Sequence, residues 1–275
     1  MTKKIILEIR NLNIWFDQTI EKFQAVKDLS LHVEEKSFTC LVGESGSGKT
    51  LTALSVARLV PSAKISGDIF WYSNASGVNL ITLTEKQLAA DFRGRQISYV
   101  FQDPGSSMNP LIRVGEQILE TYLVHFPGSA AEAKKETLAH LDSVKLKDPE
   151  RVYRSFPHEL SGGMKQRAMI AMALVAKPKL LIADEPTTAL DVAVQDEILK
   201  LLEDLRRSRS LSILFITHHL ALATSYADVI YILKKGEVVE RVEKSTQGFS
   251  VKSFHGQQLF RADLVNVKPK TFIEI

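Results

Sequence analysis

A chain of 275 residues, 45% hydrophobic and 24% charged, holds enough apolar side chains for one large folded domain or a domain with an insertion. Its 35 Lys plus Arg against 32 Asp plus Glu leave a formal charge of +3, too slight to imply a nucleic-acid surface. A single cysteine, Cys40, excludes an intrachain disulfide and a cysteine-built metal cluster; "MTKKIILEIRN" lacks a signal peptide's apolar stretch, no run approaches about 18 apolar residues, and the expectation is a soluble, cytoplasmic chain.

Residues 5–42 alternate apolar and polar positions in "IILEIRNLNIWF" and "LSLHVEEKSFTCLVG", which predicts antiparallel strands. They lead into "GESGSGKT" and then "LTALSVARLV", where Leu51, Leu54, Val56 and Leu59 recur at helical spacing up to Pro61. From about Leu88 to Leu160 the pattern turns mostly helical, with "SAAE" at Ser129–Glu132 as a capping box. The remainder alternates. A helix to Ala176 stops at Pro178, and strand "KLLIAD", helix "QDEILKLLEDLRR", strand "LSILFIT" and a hairpin-like "VIYILKKGEVVE" follow. Buried strands alternating with helices imply an α/β fold, a mostly parallel sheet covered on both faces.

"GESGSGKT" fits the G-x-x-x-x-G-K-[ST] pattern and sits between a predicted strand and a predicted helix. Gly43, Glu44, Ser45, Gly46, Ser47, Gly48, Lys49, Thr50 and the following Leu51 are therefore the expected phosphate contacts. Gly46 and Gly48 let backbone N–H groups curl around a β-phosphate at the positive end of the next helix. Lys49 is placed to bridge the β- and γ-phosphates, and Thr50 to ligate Mg²⁺.

Such a loop needs a carboxylate for the magnesium, and "LLIADEP" offers Asp184 at the end of an apolar strand. Glu185 follows where the chain leaves the strand, as candidate general base for an attacking water. His218 ends "SILFITH", a strand expected beside the acidic one; in preference to His219 it holds the γ-phosphate and the water in line. Gln102, in "VFQDP" after another strand, is a candidate contact to both Mg²⁺ and water.

A second anion site is written in "LSGGMKQR", Leu160–Arg167. Ser161 can cap a helix, and Gly162 and Gly163 let a phosphate approach its exposed N–H groups. One nucleotide needs only one triphosphate cradle. This site either binds a different anion or completes the pocket of another copy, in a head-to-tail pair with ATP between the chains.

In their order, "GESGSGKT", "FQDP", "LSGGMKQR", "LLIADEP", "TALD" and "ITH" resemble the ATP-binding cassette (ABC) transporter ATPases. The resemblance implies a P-loop, RecA-like nucleotide-binding domain over residues 1–240, with an antiparallel β subdomain, a helical insertion at about 105–178 and a short tail at 241–275. It implies ATP and Mg²⁺ as cofactors. It assigns Ser161, Gly162 and Gly163 to the γ-phosphate bound by the partner subunit, Asp191 to coupling across the dimer, and Gln102 to the loop that faces the membrane subunits. Phe16 best matches the aromatic that stacks on adenine, with Trp15 and Phe23 as competitors.

"ISGDIF", "RGRQISYVFQDPGSSMNP", "VGEQILE" and "PHELSGGMKQRAMIAMAL" are similar to the peptide and nickel importer branch, in particular its D-type ATPase. That likeness implies an F-type ATPase partner, two membrane permeases, an extracytoplasmic substrate-binding protein, and a place on the cytoplasmic face of the inner membrane. The implied cargo is peptide, nickel or a metal chelate, and no nucleic acid is involved. A soluble homodimeric ABC-type ATPase is the alternative. Two departures stand out. His219 occupies a position where many relatives carry aspartate, and "SFHGQQLF" only faintly echoes the cysteine-bearing tail of that branch, so an iron–sulfur cluster is excluded by the lone Cys40.

Overall fold

The computed structural model describes residues 4–17, 22–73, 76–188 and 190–264. They fall into two compact units, one built from residues up to Ala90 together with those from Ser212 onward, the other from Asp91–Leu211. The first unit opens with strands β1 (Ile5–Asp17), β2 (Lys22–Glu34) and β3 (Phe38–Gly43). Helix α1 (Lys49–Val56), strands β4 (Lys64–Tyr72) and β5 (Gly77–Asn79) and a single turn, α2 (Glu85–Gln87), follow. The second unit holds β6 (Ile97–Val100), α3 (Pro104–Ser107), α4 (Val114–His125), α5 (Ala130–Ser143) and α6 (Pro149–Arg154). It continues through α7 (Gly162–Leu174), β7 (Leu180–Asp184) and α8 (Val192–Arg209). The chain then returns to the first unit as β8 (Ser212–Thr217), α9 (Leu220–Tyr226), β9 (Val229–Lys234), β10 (Glu237–Glu243) and α10 (Phe254–Leu264).

The alternation of β1 and β2 does what it predicts. Leu7, Ile9, Leu12 and Ile14 pair antiparallel with Val33, Leu31, Leu29 and Val26, all buried, and β4 extends the sheet on the other side of β1. The segment "FTCLVG" departs from the antiparallel expectation. All its residues are buried, and β3 pairs parallel with both β8 and β9. A strand covered on both faces has no polar side to alternate with, so its pattern is a continuous apolar run. Phe38 packs on Phe215 with ring centroids 5.7 Å apart, and Cys40 is fully buried beside them, its thiol pushed well above the usual range by that burial.

Helix α1 also differs from expectation. Its buried face is Thr52, Ala53, Ser55 and Val56, whereas Leu51 and Leu54 are half-buried and Leu59 is 38% exposed. Small side chains let the helix lie close on the strands beneath it. The helix stops at Val56, ahead of Pro61, because Arg58 turns left-handed (φ 52°) and Leu59 N–H closes back on Leu54 O at 2.9 Å.

In the second unit β6 and β7 run parallel, with Tyr99 opposite Ile182 and Val100 opposite Ala183. The otherwise mostly helical stretch thus contains the strand expected ahead of Gln102. Ser129 does cap α5, accepting from Glu132 N–H at 3.2 Å. Among the described residues no helix is long and apolar enough to cross a membrane.

Candidate functional site

The phosphate loop and His218 belong to the first unit; Gln102, Ser161, Asp184, Glu185 and Asp191 belong to the second. β3 delivers the chain at Gly43, after which Glu44, Ser45 and Gly46 are exposed and Ser47, Gly48 and Lys49 are buried. Gly46 and Gly48 have positive φ, 78° and 99°. At Gly48 an added Cβ would also lie 3.0 Å from Ala25 O, so only glycine fits there without strain. Gly236 N–H donates to Ser47 O at 3.0 Å, which ties the loop to the β9–β10 turn.

Gly48 is the N-cap of α1, and no side chain caps that end. A helix start of this form presents backbone N–H groups and a positive dipole to an anion. Lys49 is 4% exposed, and its Nζ donates to Gly43 O at 2.8 Å and Glu44 O at 2.9 Å. The loop thus wraps its own cation. Thr50 lies exposed in the first turn, and Leu51 behind it is half-buried.

His218 follows β8 directly and is half-buried; its ring lies 4.0 Å from that of His219, which leads into α9. Phe16 pairs directly with Phe23 across β1 and β2, and Trp15 with Gln24, so the two phenylalanines share one face of the strand pair and Trp15 takes the other. Phe16 is half-buried and Phe23 is 52% exposed.

At the end of β7 Asp184 is 4% exposed, and the Tyr99 hydroxyl donates to its Oδ2 at 2.7 Å. Burial, reinforced by the Asp184 charge and this hydrogen bond, pushes the Tyr99 phenol well above its ordinary range. The next residue, Glu185, has φ 44°, uncommon for a side chain with a Cβ and a mark of local strain. Its Oε2 accepts from Gln102 Nε2 at 3.2 Å and from Thr188 Oγ1 at 2.9 Å. The fold thus joins Gln102 to Glu185 as an interacting pair. It adds Tyr99 and Thr188, which the sequence reading passed over; the one local signal for Tyr99 is a polar-tipped aromatic three residues ahead of Gln102.

Ser161 is the exposed N-cap of α7, its Oγ accepting from Met164 N–H at 3.3 Å. A Cβ on Gly163 would stand 2.8 Å from Val194 Cγ1, and one on Gly162 3.3 Å from Leu190 Cδ2. The need for glycine at position 163 therefore has a packing cause besides any ligand, the close approach of the start of α8. Asp191 is itself exposed and caps α8, accepting from Val194 N–H at 3.0 Å.

A glycine-capped phosphate loop, two consecutive acids at a strand end and a serine-glycine helix start describe an ATP-binding cassette. The sequence pattern of the ABC transporter family matches residues 26–188, and the chain belongs to that family. Over 238 residues it is 42% identical to the oligopeptide transport ATP-binding protein OppD of Bacillus subtilis (strain 168), covering 86% of this chain and 65% of the relative. It is 40% identical over 243 residues to the glutathione import ATP-binding protein GsiA of Pectobacterium atrosepticum, covering 87% of this chain and 39% of GsiA. The chain thus spans about two thirds or less of the length of these relatives. Its fold matches the dimeric post-hydrolysis structure of the ATP-binding cassette MJ0796 bound to ADP and Pi, with a TM-score of 0.76, 28% identity, and coverage of 86% of this chain and 98% of that one.

Proposed function

We propose that the chain is the ATP-hydrolysing subunit of a peptide-class ABC importer, working at the cytoplasmic face of the inner membrane. The observation that carries this reading is the Gln102–Glu185 contact next to buried Asp184, in a chain whose relatives are named for oligopeptide and glutathione import. Those names favour peptides over nickel or a metal chelate as cargo. The cassette is assigned to residues 1–240, with its helical insertion at about 105–178 and a tail at 241–275.

In this reading the loop from Gly43 to Thr50, with Leu51, holds the ATP phosphates and Phe16 stacks on adenine. Thr50 and Asp184, assisted by Gln102, would hold Mg²⁺. Hydroxyl, carboxylate and amide oxygens are the hard donors Mg²⁺ prefers. When bound, Mg²⁺ neutralises charge on the β- and γ-phosphate oxygens. Glu185 takes the proton of the attacking water, and His218 keeps the water and the γ-phosphate in line. Ser161, Gly162 and Gly163 meet the γ-phosphate held by the partner ATPase, an F-type relative, and Asp191 couples the two. Closing and opening of that sandwich drives two permeases, fed by a substrate-binding protein outside; no nucleic acid takes part.

ATP turnover of the full chain, alone and with the genomic-neighbour ATPase and permeases in lipid, tests this. Turnover is expected to rise sharply only with the neighbours, and Glu185→Gln to keep ATP binding while turnover falls roughly 10²-fold or more. Full turnover indifferent to the permeases would instead identify a soluble homodimeric ATPase, and near-normal turnover of Glu185→Gln would remove that residue from the role of base.

A further inference from the structure

The two acids at the end of β7 are held by different groups. Glu185, half-buried and outside the strand, accepts from Gln102 and Thr188, both exposed. Asp184, buried and still within the strand, accepts from Tyr99 on the neighbouring strand. The parallel register sets Tyr99 opposite Ile182, and side chains two apart on a strand share a face, so Tyr99, Ile182 and Asp184 lie on one side of the pair. A tyrosine is long enough to reach one step past its own partner, where a leucine or methionine would end in packing contact only.

We propose that Tyr99 is a positioning residue for the metal-side carboxylate: its hydroxyl fixes the rotation of Asp184 and so the direction in which the carboxylate meets Mg²⁺. The inference rests on the reading of Asp184 as that carboxylate. A carboxylate's last torsion is broad and roughly two-fold, so a buried Asp at a strand end is not oriented by its rotamer alone. A 2.7 Å donor on a ring that is itself held, with Phe101 4.6 Å away centroid to centroid, supplies that orientation. Loss of a partner that orients a metal ligand typically weakens metal binding about 10–100-fold.

The test uses the full chain with Mn²⁺ as probe, its binding read by electron paramagnetic resonance in the presence of a non-hydrolysable ATP analogue. Affinity for the analogue is measured separately in EDTA. Tyr99→Phe keeps the ring and removes the hydroxyl; Mn²⁺ should bind about 10-fold more weakly, with metal-free analogue affinity unchanged. Tyr99→Met removes ring and hydroxyl together, and an equal loss in both variants assigns the effect to the hydroxyl. Wild-type Mn²⁺ affinity in Tyr99→Phe, or a loss confined to Tyr99→Met, overturns the inference. Asp184→Asn separates the two failures: if it weakens Mn²⁺ while Tyr99→Phe does not, only the role of Tyr99 falls, and if it leaves Mn²⁺ binding intact the metal reading of Asp184 falls with it.

Discussion

Helices α1 and α7 both begin where glycines leave a helix start open to an anion, yet they are built in opposite ways. The start of α1 is capped by left-handed Gly48 with no side-chain help, and Lys49, at 4% exposure, is folded into its own loop. The start of α7 is capped by Ser161, whose own hydroxyl meets the Met164 N–H, and both Ser161 and Gly162 are exposed. One end is enclosed and carries a fixed cation; the other is outward-facing and already partly satisfied. The enclosed end is suited to a ligand bound by this chain alone. The exposed end offers little enclosure of its own, which agrees with the proposed meeting with a γ-phosphate held by a partner.

That contrast is open to attack at each end. Lys49→Ala removes the buried cation, and truncating one partner of a buried charge pair costs about 2–5 kcal/mol, so ATP affinity of the isolated chain should fall at least about 30-fold. Equilibrium binding of a fluorescent ATP analogue reads this directly; wild-type affinity would show that the loop backbone suffices and the contrast is overstated. Ser161→Arg is the matching change at the other end. Here nucleotide binding by the single chain should stay at its wild-type value, while ATP-driven pairing, followed by analytical ultracentrifugation, weakens by roughly 10-fold or more, as expected for a bulky group in the buried centre of an interface. Loss of nucleotide binding in the isolated variant would mean that the exposed end serves its own chain.

Much of this arrangement was legible in the residue order. The spacing within "GESGSGKT" and the apolar run before Asp184 each place their functional groups through a short-range rule, a tight loop into a helix or a buried strand ending in a polar residue. The parts that were not legible depend on long-range pairing. β3 alternates poorly because both its faces are covered, and nothing local distinguishes its parallel partners from a hairpin. Beside the expected Val56, the buried face of α1 is made of Thr52, Ala53 and Ser55 in place of Leu51 and Leu54. β4 alternates through "KISGDIFWY", but its antiparallel pairing with β1 spans two intervening strands, a loop and a helix. Tyr99 is the clearest case. Within its four-residue strand it looks like one more packing aromatic, and only the register of β6 against β7 brings its hydroxyl to Asp184.

The smallest expected effect bears most closely on the comparison, because it asks whether the start of α7 is satisfied by its own serine. Ser161→Ala removes the hydroxyl that accepts from Met164 and changes nothing else in volume or charge. Loss of such a cap costs about 0.5–2 kcal/mol, and the 3.3 Å length of this bond places the expectation at the lower end, about 0.5–1 kcal/mol. Urea unfolding of the isolated chain without nucleotide measures it, as a lowered midpoint with an unchanged slope. The absence of nucleotide matters: Ser161 is assigned a second role, toward a partner's γ-phosphate, and that role contributes nothing in an unliganded single chain. A measurable loss therefore reports the cap alone, and the further effect of the same variant on ATP-driven pairing reports the second role. If stability does not change, the hydroxyl is not needed at home, and the difference between the two helix starts reduces to the left-handed glycine cap and buried Lys49 of α1 against the exposed start of α7.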